Sequence, residues 1–234
     1  MFHGKMKAVT FSYDDGTTQD RRLIKLLDKY GLKCTFNLNS GLFHTARIKT
    51  YGGISVPHVC FREEEICRIY GNHEIAAHTM THPSLKNLPD VEVIREVEED
   101  RLRLSDLAGY EVVGMAYPGG SSQIDERVIH LVREHTGIRY ARNTTSSFSF
   151  APQTELLNFS PTVFDYREPE QMFRLAEEFI AMEAKTPQIF YIWGHAYEMD
   201  FDDTWDRMEE FFRLISGHSD IFYGTNKQVL LGME

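Results

Sequence analysis

The sequence predicts one α/β domain over residues 1–234, folded as a small or irregular (β/α) barrel of about seven strands. Three observations carry this expectation. Short apolar runs alternate with amphipathic segments along the whole chain, the pattern of a mainly parallel sheet wrapped by helices. No composition break or Pro/Gly linker divides the chain, and no long-period repeat is visible. The distinctive polar clusters fall at the C-terminal ends of the expected strands, where such sheets build their sites. An open doubly wound sheet is the alternative arrangement.

The elements follow in order. Residues 7–12 (KAVTFS) read as a buried strand that runs into Asp14-Asp15-Gly16. Leu23, Ile24, Leu26, Leu27 and Tyr30 recur at helical spacing until Gly31 stops the helix. Residues 34–38 form a second strand. The segment 41–57, mixed in composition and containing two adjacent glycines, is expected to be a long loop. A short helix over 63–70 ends at Gly71, and a third strand over 74–77 runs into His78-Thr79-Met80-Thr81-His82. Residues 90–107 make a long amphipathic helix with Val91, Ile94, Val97, Leu102 and Leu104 as its apolar positions. A strand over 112–117 meets Pro118-Gly119-Gly120, and Asp125 caps the helix that follows. A short strand covers 138–142 and an extended segment 156–164. A helix over 168–184, a strand over 188–193, a helix over 204–215 and a last strand over 221–223 complete the chain.

Apolar residues make up 42%, enough for a core at this length, and the 26% of charged residues form no low-complexity tract, so disorder is not expected beyond the termini. The net charge of -10, with no cluster of Lys and Arg, argues against a nucleic-acid partner. Cys34, Cys60 and Cys67 are an odd set with no CxxC pair, which disfavours a disulfide framework and favours reducing surroundings. The first eight residues hold no apolar core of a signal peptide, and no apolar run is long enough to span a bilayer. The expectation is a cytoplasmic protein without a membrane partner, or an extracytoplasmic one if a leader was removed. The oligomeric state is not legible.

The chemistry sits at the strand ends. Two adjacent carboxylates, Asp14 and Asp15, repel each other and persist most easily where a cation or a proton relieves the repulsion; an Asp-Gly turn in solvent is the plain alternative. His78 and His82, four residues apart, can bring two imidazoles onto one metal, or can be exposed loop histidines. One Asp with two His suits a divalent ion and leaves positions open for water and substrate, the mark of a catalytic rather than a structural site. In Tyr117-Pro118-Gly119-Gly120 a backbone N–H can face a developing oxyanion, or the glycines can make an ordinary turn. His195 follows a strong strand and can act as a general acid, with Trp193 and Tyr197 lining a substrate pocket; a buried, hydrogen-bonded histidine is the alternative. Arg142 ends another strand, where a surface ion pair is the ordinary expectation.

The set SYDDG, HTMTH, MAYPGG and WGH, in that order and spacing, resembles the polysaccharide deacetylase family, carbohydrate esterase family 4, from Ala8 to about His195. The resemblance implies a single-domain distorted (β/α) barrel and a divalent metal, usually zinc, used to remove N- or O-acetyl groups from sugars. It implies Asp14 as the catalytic base, and Asp15, His78 and His82 as the metal ligands. Gly119 stands where the family often has an aromatic residue whose N–H meets the oxyanion. His195 stands as the catalytic histidine, with Trp193 as the apolar pocket residue and Tyr117 and Tyr197 beside the substrate. Two positions depart from the pattern: the Arg expected two before Pro118 is Ala116, and the residue after Pro118 is Gly119 rather than Tyr or Phe. Asp165 is the best candidate for the acid that supports His195. Arg142 is expected to replace the absent Arg by pairing with Asp14, its planar fork suiting a carboxylate.

The function expected is hydrolysis of an acetyl group on a saccharide by metal-activated water, with Asp14 as base and His195 as acid. The alternatives are a metal-dependent hydrolase acting on a non-sugar amide or ester, and a catalytically silent sugar-binding homologue. The partner is an acetylated sugar or a related small acylated compound.

Overall fold

A computed structural model describes residues 2–233. Its strands are β1 (Lys7–Asp14), β2 (Cys34–Leu38), β3 (Ala46–Tyr51), β4 (Ile54–Val59), β5 (Glu74–Ala77), β6 (Gly114–Ala116), β7 (Tyr140–Arg142), β8 (Val163–Phe164), β9 (Gln188–Gly194) and β10 (Ile221–Tyr223). The α-helices are α1 (Asp20–Lys29), α2 (Ile66–Tyr70), α3 (Asp90–Ala108), α4 (Glu126–His135), α5 (Pro169–Ala181), α6 (Trp205–Ile215) and α7 (Asn226–Leu231).

The main sheet is parallel in the order β7-β6-β5-β2-β1-β9-β8, with β10 beside the first half of β1. It curls into a distorted barrel. The extended segment after residue 158 spans the gap between the sheet edges. Phe159 bonds to β7 through Ala141 O at 2.9 Å, and Val163–Phe164 pair with β9.

β1 shows how the alternation of a strand divides this barrel. Every residue of β1 is buried. Val9, Phe11 and Tyr13 join the core beneath the helices, where the Phe11 ring meets Phe211 and Phe212 edge-on. The alternate residues face the interior, because successive side chains point to opposite faces. That interior combines an apolar cluster that includes Ala8, Ile189, Tyr191 and Trp193 with buried polar groups. Thr10 donates to Asn226 at 2.8 Å, and Asn37 donates to both Ser12 and Asp14 at 2.8 Å. Lower in the barrel Glu74 accepts from Tyr140, Thr35 and the Lys227 N–H. These bonds supply the partners that buried polar groups require. Helix α7, absent from the sequence expectation, closes that end, its first turn fixed by a reciprocal Thr225–Gln228 capping box.

Three local expectations are corrected. The segment 41–57 is not a loop: β3 and β4 form an antiparallel hairpin with Lys49 opposite Val56. The adjacent Gly52 and Gly53, both at positive φ, make its tight turn, a conformation open to glycine and costly for most residues. In α3 the buried face is Val93, Glu96, Val97, Asp100, Arg101 and Leu104, while Val91 and Leu102 are exposed. The carboxylates of Glu96 and Asp100 therefore share the buried face with Val93, Val97 and Leu104. Finally, the segment 156–164 opens with a 3-10 turn, Leu156–Asn158, before it extends. The N-cap is as expected: the Asp125 carboxylate accepts the Val128 N–H at 3.0 Å.

Candidate active site

The C-terminal end of β1 delivers Asp14 and turns at Asp15, which adopts a left-handed φ of 77°. Such a conformation is unusual for a residue with a side chain, and its cost is most often sustained at functional sites. Asp14 is buried. Both its oxygens accept from the Arg142 guanidinium, Oδ1 at 2.7 Å, and Oδ1 also accepts from Asn37. Burial alone would push its carboxyl up; Arg142, ahead of His78 and His195, pulls it below the ordinary carboxylate range. Arg142 is itself fully buried and lies over the Trp193 ring, 4.3 Å from its centroid. Its place follows from register. Arg142 and Ala116 are direct partners on the parallel strands β7 and β6, so a guanidinium from 142 rises beside the small side chain of 116.

Asp15 is held differently. Its Oδ2 accepts the His58 Nε2–H at 2.9 Å, whereas Oδ1 is buried with no hydrogen-bond partner. Burial works against its charge, but His58, then His195, His78 and His82, keep it well below the usual range. The Nε2 atoms of His78 and His82 each lie 3.7 Å from the bare Oδ1. The three prospective ligand atoms lie within 4.8 Å of one another. His78 donates its Nδ1–H to the Ala116 carbonyl at 2.7 Å, which leaves the Nε2 lone pair facing Asp15. Burial first, and the neighbouring His78 second, bring the pKa of His82 down to about 4, so its imidazole is neutral at pH 7, the form that ligates. An orphaned buried carboxylate oxygen facing two imidazole lone pairs is the donor set of a divalent ion, and Asp15, His78 and His82 fit one.

The loop carrying the two histidines is braced by α3. Asp100 accepts the His78 and Ser40 N–H groups at 3.0 and 2.8 Å, and Glu96 accepts the N–H and hydroxyl of Thr81, both at 2.9 Å. Asn39 donates to the carbonyls of His78 and Thr79. Thr79 and His82 adopt left-handed φ of 65° and 59°, unfavourable conformations that this mesh of bonds sustains.

Across the cavity His195 follows β9, its Nε2 4.0 Å from Asp14 Oδ2. Its Nδ1–H donates to Glu198 at 2.9 Å. Burial disfavours the imidazolium, but the Glu198 carboxylate outweighs it, and the His195 pKa rises to about 9. Asp165 is not the partner of His195. It accepts from the Tyr13 hydroxyl, and burial lifts its pKa to about 7. Its carboxylate lies against Gly194, where an added Cβ would sit 2.2 Å from Oδ1. Glu198 takes the place beside His195 because the 3-10 turn Ala196–Asp200 carries the chain back under the imidazole, a neighbour relation that the spacing of three residues could have signalled.

Asp14, Asp15, His78, His82, His195 and Glu198 line one cavity of about 300 Å³ with Tyr117, Gly119, Gly120, Trp193 and Tyr197. The Gly119 N–H donates to no group among the described residues. The Tyr117 hydroxyl turns away to donate to the Leu157 carbonyl, so it presents no hydroxyl to a ligand there. Tyr197 packs on both His58 and His195. The sequence reading missed His58, Glu198, Glu96 and Asp100. His58 was hidden with its hairpin, although Gly52-Gly53 between two alternating segments is a hairpin signal.

The family model described as Polysaccharide deacetylase matches residues 3–141. The Xyl-CE4 domain of a multidomain xylanase from the hindgut metagenome of Trinervitermes trinervoides is similar in fold, with a TM-score of 0.60 and 15% identity over 97% of this chain and 90% of that one. The Streptococcus pyogenes deacetylase PplD, solved with acetate, gives a TM-score of 0.51 and 17% identity over 64% of this chain and 61% of its own. The chain thus spans less than two thirds of the length of PplD. BA3943, a CE4 family pseudoenzyme from Bacillus anthracis, gives 0.57 and 15% over 96% and 66%. No curated protein matched.

Proposed function

The chain belongs to the polysaccharide deacetylase family, and from that premise we propose that it is a metal-dependent hydrolase that removes N- or O-acetyl groups from a saccharide. The observation that supports this reading best is the bare Oδ1 of Asp15, facing the His78 and His82 imidazoles beside an ionised Asp14. Asp15, His78 and His82 would hold the ion, zinc by family habit. When bound, it supplies Lewis acidity that polarises an acyl oxygen and makes water more acidic.

The rest is work for the chain's own groups. Asp14, kept ionised by Arg142, accepts the proton of the attacking water. Arg142, bonded to both oxygens, and Asn37, bonded to Oδ1, fix the orientation of that carboxylate. The Gly119 N–H, without another acceptor among the described residues, donates to the oxyanion. His195, protonated at neutral pH and held by Glu198, delivers the Nε2 proton to the leaving nitrogen or oxygen. Trp193 and Tyr197 line the cavity and offer apolar walls for an acetyl methyl. The assay is acetate release from N- and O-acetylated sugars by the protein reconstituted with zinc. The reading expects release by the parent and none by His78→Ala. No release from any acylated sugar or aryl ester, with one ion bound per chain, would assign the protein to the catalytically silent members. Release from esters alone would assign it to another substrate class.

A further inference from the structure

The cavity carries two cations that the hydrolytic chemistry does not use. Each carboxylate lining it has a basic partner: Asp14 has Arg142, Asp15 has His58, and Glu198 has His195. Lys49 and Arg167 also line the cavity, and neither forms an ion pair among the described residues. Both lie against aromatic faces instead. Lys49 Nζ is 5.5 Å from the Tyr197 ring centroid, and the Arg167 guanidinium is 5.6 Å from that of Phe164 and 5.7 Å from that of Tyr51.

Both positions are fixed by the fold. Lys49 shares the inward face of the β3–β4 hairpin with its register partner Val56, which is buried, and with His58 two residues further along β4. Arg167 lies in the turn that leads from β8 toward α5, three residues after Phe164. Tyr197 and Phe164 both pack on the His195 ring, so the two cations flank the His195 side of the cavity. Lys49 is half-buried and Arg167 exposed, so both stay hydrated in the free protein, and no carboxylate lining the cavity competes with an incoming anion for either charge. A neutral sugar would leave both without a charged partner.

We infer that Lys49 and Arg167 form an anion subsite, and that the substrate is an acylated saccharide bearing a phosphate or carboxylate group beyond the scissile acyl group. The inference rests on the hydrolase reading for what happens to the acyl group, but not for the binding of the anion. An arginine fork and a lysine point charge together suit either oxyanion.

The test measures calorimetric binding and acetate release side by side on the zinc-loaded full chain. The ligands are N-acetylglucosamine, its 6-phosphate and N-acetylmuramic acid. One hydrogen-bonded charge pair is commonly equivalent to tenfold or more in affinity, so at least one anionic sugar is expected to bind about tenfold to hundredfold tighter than the neutral one. The preference should fall to about threefold or less in Lys49→Met/Arg167→Met, and it should weaken in the parent as salt is raised. The arm that shows the preference, phosphate or carboxylate, identifies the anion. Equal binding of all three sugars overturns the inference, as does a preference that survives in the double variant. Acetate release from all three sugars at equal efficiency also overturns it, while leaving the hydrolase reading intact. An anion preference lost in the double variant, with no acetate released from any sugar, supports the subsite and overturns the hydrolase reading.

Discussion

Replacing Arg142 with Met keeps most of the side-chain volume and removes only the charge and the donors. In the parent, a fully buried guanidinium contacts both oxygens of a fully buried Asp14. Removing one partner of such a pair strands the other charge, at a cost of about 3–5 kcal/mol. At about 2–4 °C per kcal/mol for a chain of this size, Tm at pH 7 should fall by roughly 6–20 °C. The pH dependence gives the sharper test. Asp14 is held below its ordinary value, so the pair stabilises the fold above the unfolded carboxylate pKa of about 3.9 and is lost as pH falls through the folded value. Without Arg142, burial becomes the dominant influence and Asp14 titrates above its ordinary value. The Tm gap between parent and variant should therefore be widest near neutrality and should narrow toward pH 4. The acidic limb of kcat/KM should move upward, with the metal content unchanged by elemental analysis. Arg142→Lys, which keeps the charge but not the fork, should recover part of both. An unchanged Tm at pH 7 together with an unmoved acidic limb would refute the assignment of Arg142 as the group that keeps Asp14 ionised.

Other perturbations read other parts of the site. His58→Leu removes the donor to Asp15 Oδ2 and should weaken divalent-ion affinity by about 10–100-fold in chelator competition, the usual cost of losing an orienting partner; equal affinity would show that Asp15 needs no such support. Glu198→Gln should move the alkaline limb of kcat/KM down from about 9 toward the ordinary imidazole value of about 6.5. The stabilisation from that pair should be complete below the unfolded value and vanish as pH rises through about 9, so the Tm difference between parent and Glu198→Gln should shrink above it. Asp100→Ala leaves the Ser40 N–H without its acceptor and should cost about 1–3 kcal/mol in urea unfolding, with less lost in Asp100→Asn, which keeps one acceptor oxygen.

The sequence by itself determined the alternation of strands and helices, and with it a curled parallel sheet whose polar clusters lie at the strand ends. The strands over 34–38, 74–77 and 221–223 were legible because short apolar runs bounded by turn residues have few other solutions. Asp14, Asp15, His78, His82 and His195 stood out as motifs at or shortly after the ends of expected strands, whose order and spacing carry the family resemblance. Tertiary structure decided the pairing. That Glu198, not Asp165, faces His195 depends on a turn that folds back beneath the imidazole, and that His58 reaches Asp15 depends on where a hairpin inserted between β2 and β5 lies across the barrel mouth. The carboxylates of α3 show the limit most clearly. Glu96 and Asp100 lie on the same face as Val93, Val97 and Leu104, and these charged residues are buried there as acceptors for the N–H and hydroxyl groups of the loop they brace. Periodicity records where apolar side chains must go. It does not record where a distant backbone needs a partner, because that need arises only after the chain has folded.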